Sequence, residues 1–93
     1  MGGEEVRNFE RIWSSTYGFN HALSVNSWTT GLQVAVGAIG IEPGDEVICP
    51  PYTMSASASA VLFYGGIPIF ADIDLDSGNI TAKTIEPLIN KKT

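Results

Sequence analysis

Glu42-Pro43-Gly44-Asp45-Glu46-Val47-Ile48-Cys49-Pro50-Pro51 reads as a turn running into a strand that stops abruptly. Pro43 presets φ and Gly44 supplies the positive φ of a type II turn. Pro50-Pro51 takes two backbone donors out of any continuing ladder. The strand is therefore Glu46–Cys49. Ser55-Ala56-Ser57-Ala58-Ser59-Ala60-Val61-Leu62-Phe63-Tyr64 alternates superficially, but its small residues and the Gly65-Gly66 terminator favour a helix packed close to a sheet. Ile67-Pro68-Ile69-Phe70-Ala71-Asp72-Ile73 is the next strand, with Pro68 tolerable only near its start or on an edge. Two strands joined by a helical crossover run parallel.

The same alternation holds upstream. His21–Asn26 is short, bounded and reads as the first strand of three. Asn26-Ser27-Trp28-Thr29-Thr30 is rich in capping residues and precedes Leu32–Ile39, a helix apolar nearly all round and expected to be buried. Gly40 sits where a left-handed cap belongs. In Glu4–Tyr17, the residues Val6, Phe9, Ile12, Trp13 and Tyr17 recur at three- and four-residue steps, giving an amphipathic helix stopped by Gly18. Thr81 can cap a last helix, which Pro87 must shorten or kink. The fold class is α/β: a three-layer α/β/α arrangement with three predominantly parallel strands and flanking helices.

Composition narrows the function classes. The chain has 93 residues, 44% of them hydrophobic, and ten Asp+Glu against five Lys+Arg give a net charge of −5. That is globular rather than disordered, and it argues against a nucleic-acid partner, whose phosphates need Lys and Arg. No apolar run reaches membrane-spanning length, so no membrane partner is expected. Met1-Gly2-Gly3-Glu4-Glu5 is not a secretory signal. Cys49, the single cysteine, forms no internal disulfide, and the cytoplasm is the expected compartment.

The Asn26–Thr30 junction is the most informative place for chemistry. A helix N-terminus leaves backbone N–H groups unpaired and carries partial positive charge, which suits a phosphate. Thr29 and Thr30 add hydroxyl donors; the alternative is a plain cap on a buried helix. His21 lacks an acidic or cysteine partner at ligand spacing. Cys49, at a strand end, reads as packing. Asp72, Asp74 and Asp76 read as loop carboxylates, because Asp74–Asn79 lacks the remaining ligands of a calcium loop. No dinucleotide fingerprint, Walker lysine or nucleophile elbow is present, and no residue is assigned a catalytic or metal-ligating role.

Several segments in order resemble one family. His21–Ser27, then Thr29, Gly40-Ile41-Glu42-Pro43-Gly44-Asp45-Glu46-Val47-Ile48, Pro50-Pro51-Tyr52-Thr53-Met54, Ala60-Val61-Leu62 and Gly65–Asp74 look like the DegT/StrS family of sugar aminotransferases. Gly3-Glu4-Glu5-Val6 with Phe9-Glu10 resembles the helix that precedes this block. The resemblance covers essentially the whole chain, residues 1–93, as the early part of a pyridoxal 5′-phosphate (PLP) transferase large domain of fold type I.

The resemblance implies a function and a site. The family transfers an amino group from glutamate or glutamine to a keto-sugar, often nucleotide-linked, as a homodimer. A Ser-Gly-Thr turn binds the PLP phosphate; here Trp28 stands in the glycine's place and Thr29 in the threonine's. Met54 stands where an aromatic residue commonly stacks on the pyridine ring. The family's Schiff-base lysine lies downstream of this block, so the chain is expected to be an inactive fragment. A sugar dehydratase relative, with histidine for that lysine, stays open. So does a non-catalytic phosphate-binding or interaction module. The family strand order is three-two-four-five-six-seven-one, in which strand one is remote from strands two and three. The chain is therefore expected either to close strand one onto strand two or to be molten, oligomeric or aggregating.

Overall fold

The computed structural model describes residues 3–93, so Met1 and Gly2 of the polar N-terminal stretch lie outside the described residues. Helix α1 is Glu4–Tyr17, as its apolar spacing predicts. Glu4 and Glu5 in its first turn complement the positive helix end. Gly18 closes it at φ 71°, donating its N–H to the Ser14 carbonyl. Helix α2 is Trp28–Ile39, strand β1 Glu46–Cys49, helix α3 Ala56–Leu62 and strand β2 Ile67–Phe70. Helix α4, Ala82–Ile85, opens on a reciprocal cap between Thr81 and Thr84, and Pro87 turns the chain into a single 3-10 segment, Glu86–Leu88. The short, broken last helix is what Pro87 requires.

The sheet is the parallel pair β1–β2, with Glu46 opposite Ile67 and Cys49 opposite Phe70. Gly44 at φ 94° makes the tight entry into β1, and its N–H reaches the Gly65 carbonyl at 3.1 Å. The Ile67 N–H then donates to the Asp45 carbonyl at 2.7 Å, so the two strand entries are tied together. Helix α3 lies on both strands, and α2 packs on α3. Small residues make this layering close: Cys49, Ala56, Ala60, Val61 and Ala71 are buried, and Val61 is the largest side chain among them. The Cys49 thiol packs among these groups, as its place at a strand end predicts.

Three expectations need correction. His21–Asn26 is not a strand: no sheet edge meets it, and the described sheet has two strands, not three. Strand character depends on a neighbouring ladder, and here the Ser24 N–H is taken by a side chain, the Glu10 carboxylate. The segment therefore does not close onto β1. The strand expected over Ile67–Ile73 ends at Phe70, and only the Ala71 N–H continues toward β1, reaching the Cys49 carbonyl at 3.0 Å. Finally, α2 has no buried residue despite its apolar sequence. Its principal cover is α3, and its apolar residues elsewhere, such as Val34 and Ile39, face outward. The radius of gyration, 16.0 Å, exceeds the value of about 12 Å usual for a globule of this length.

Candidate cofactor site

The start of α2 is built by four consecutive polar contacts. Ser27, in extended geometry (φ −158°, ψ 159°), is the N-cap, and its Oγ accepts the Thr30 N–H at 3.1 Å. The Thr30 hydroxyl donates to Asn26 Oδ1 at 3.0 Å and lies 2.9 Å from Ser27 Oγ. The Gly31 N–H bonds the Ser27 carbonyl at 3.0 Å. Asn26, Ser27 and Thr30 thus form a closed brace around the first turn. The N–H groups of Trp28 and Thr29 are left over, with the Thr29 hydroxyl beside them; none has a hydrogen-bond partner among the described residues. The first turn carries no acidic residue to repel an anion.

The structure thereby separates the two threonines that the sequence offers together. Thr30 is structural; Thr29 is available. Trp28 is also available, 79% exposed, and lines an open groove of about 520 Å³ with Val25, Asn26, Ser27, Gly31 and Leu32. Met54 is equally exposed but lines a different groove, with Pro50, Pro51, Ser55 and Phe70. Trp28 and Thr29 share one helix end, although Thr29 does not line the Trp28 groove, and Met54 does not line it either.

Sequence reasoning missed Glu10. Its Oε1 accepts both the Ser24 N–H and the Ser24 hydroxyl, each at 2.7 Å. These bonds, backbone first, hold its carboxyl below the usual glutamate range. A contact across fourteen residues has no local sequence signal. Asp74 behaves as a turn carboxylate: it accepts the Ser77 N–H and hydroxyl, each at 2.9 Å, and these bonds lower its pKa. Among the described residues, no group of three His, Cys, Asp or Glu side chains is placed to hold a metal ion. No helix among them is long and apolar enough to cross a membrane.

Comparison with known proteins places the chain in a family. The model of the DegT/DnrJ/EryC1/StrS aminotransferase family matches residues 1–93. The spore coat polysaccharide biosynthesis protein SpsC of Bacillus subtilis is 41% identical over 98% of this chain and 23% of its own length. GDP-perosamine synthase of Caulobacter vibrioides is 40% identical over 98% of this chain and 24% of its own. The crystal structure of NtdA from Bacillus subtilis, with the cofactor PMP bound, superposes with a TM-score of 0.89 at 33% identity, covering 99% of this chain and 21% of that one. The chain spans about a quarter of the length of the curated relatives it matches. It is a partial α/β domain of the PLP-dependent, fold-type-I kind, and it belongs to the DegT/DnrJ/EryC1/StrS aminotransferase family.

Proposed function

We propose that this chain supplies the phosphate-holding corner of a PLP-dependent enzyme that transfers an amino group from glutamate or glutamine to a keto-sugar, often nucleotide-linked. The observation that carries the reading is the donor set at the start of α2. Two unpaired amides, at Trp28 and Thr29, and one free hydroxyl, that of Thr29, occupy a helix start capped by Ser27. That set suits a phosphate dianion: the amides donate, the helix dipole adds positive potential, and no neighbouring acid opposes it. When bound, PLP supplies the electron sink for amino transfer. The chain's own residues anchor and orient it. The Asn26–Thr30 bond keeps the Thr30 hydroxyl out of the site and leaves Thr29 to donate. Met54, exposed on a separate groove, is the side chain proposed to lie against the pyridine ring. The full enzyme is proposed to work as a cytoplasmic homodimer, in keeping with the family resemblance.

The test is Thr29→Val. It keeps the shape and removes the hydroxyl. Binding of PMP to the chain, followed by Trp fluorescence, should weaken by about 1–3 kcal/mol, the scale of a hydrogen bond to a charged group. Unchanged affinity would mean that Thr29 is a helix-start residue and nothing more.

A further inference from the structure

We infer that Glu10 is a positioning residue for the phosphate corner: its carboxylate clamps the 21–26 segment onto α1 and thereby fixes the turn from which α2 starts. The inference rests on the reading of that corner as a phosphate site. The segment between α1 and α2 lacks a sheet partner, so its path needs another constraint. The structure supplies one. A single oxygen, Glu10 Oε1, receives both donors of Ser24 at 2.7 Å. No other residue among 20–25 makes a hydrogen bond among the described residues. The bonds are short and charge-assisted, the strong kind.

Register carries the effect forward. Asn26 follows Ser24 by two residues and holds Thr30; Ser27 follows by three and caps the helix. Trp28 and Thr29 lie inside the loop closed by those contacts. Fixing Ser24 therefore limits where the two free amides can point. On the other side, α1 provides a fourteen-residue rail. Phe9, Trp13, Phe19 and Leu23 line the groove between rail and segment. The chain's reversal is held from the other end as well, because the Phe19 N–H bonds the Ser14 carbonyl at 3.0 Å. Ring packing continues along it, with Trp13 and Tyr17 centroids 4.6 Å apart.

Two variants of the chain test the clamp. Glu10→Ala removes the acceptor. Glu10→Gln keeps an oxygen able to receive both Ser24 donors and removes only the charge. The readouts are backbone amide spectra of the free chain and its affinity for inorganic phosphate. In Glu10→Ala, the Ser24, Trp28 and Thr29 amides should shift and broaden while those of Ile48 and Ile69 stay in place. Phosphate affinity should fall about fivefold, the loss of a modest share of a charge-assisted bond. Glu10→Gln should restore the Trp28 and Thr29 positions and most of the affinity. A merely structural role would move the sheet amides with the rest. Unmoved Trp28 and Thr29 amides in Glu10→Ala would overturn the inference, and so would Glu10→Gln as displaced as Glu10→Ala. If the wild-type chain fails to bind phosphate, the phosphate reading falls, and the amide positions alone decide for or against the clamp.

Discussion

Replacing Gly66 with alanine tests how β2 is docked. A Cβ at Gly66 would lie 2.8 Å from Val61 Cγ1, 3.1 Å from Ile41 Cγ2 and 3.2 Å from the Val61 carbonyl oxygen. Val61 is only 1% exposed, so its side chain has nowhere to turn. Its carbonyl is held by two bonds, from the Tyr64 N–H at 3.1 Å and the Gly66 N–H at 3.2 Å. Relief must come from the backbone, and the next residue, Ile67, is the one whose N–H ties β2 to Asp45. Overpacking of this kind costs about 1–3 kcal/mol. The lost glycine entropy of the unfolded chain returns only about 0.4–1 kcal/mol. A net loss of about 1–2 kcal/mol is expected. At a urea m-value of about 1 kcal/mol/M for so small a chain, the unfolding midpoint should fall by about 1–2 M, read by circular dichroism at 222 nm. Gly31→Ala is the control: its Cβ would meet only Val25 Cγ2, at 3.4 Å. In the first turn of α2, with helical φ, that change should stabilise by up to about 1 kcal/mol. An unchanged or raised midpoint for Gly66→Ala would refute the close approach of α3 to β2 described above.

Two further outcomes follow from the titrating groups. Burial pushes the Cys49 thiol up from its ordinary value, so at pH 8 it should react with a disulfide reagent on the order of tenfold more slowly, or less, than in urea; equal rates would contradict its burial. Glu10 and Asp74 have folded pKa values below their ordinary 4.5 and 3.8, so the stability they lend is present above those values and is lost as pH falls through the lower, folded ones. The Ser24 and Ser77 amide signals should therefore move with midpoints below 4.5 and 3.8 respectively, whereas midpoints at or above these values would remove the hydrogen bonds from the account.

Where local chemistry determines an element, the sequence is enough to read it. Gly18, Gly40 and Gly44 take the positive φ expected of them, Pro50-Pro51 ends β1, and the Thr81 cap with Pro87 gives a four-residue helix and a 3-10 turn. The errors share one cause. His21–Asn26 has strand composition, but a strand needs a partner edge, and pairing is not a property of six residues. Leu32–Ile39 has buried-helix composition, but burial needs a neighbour on every side, and α3 covers one. At the site, the capping run Asn26–Thr30 marks the right helix end. It does not tell Thr29 from Thr30, because that depends on which hydroxyl Asn26 reaches. Glu10 was invisible for the same reason: its partner lies fourteen residues away.

The free amides at the start of α2 are proposed to hold the cofactor's phosphate. Titrating the isotope-labelled chain with PMP and following every backbone amide tests this proposal most directly. Saturable shifts, largest at Trp28 and Thr29, are expected. The Thr30 amide should move much less, because Ser27 Oγ already occupies it at 3.1 Å. Trp28 and Thr29 shifts no larger than the chain average, with saturation centred elsewhere, would contradict it.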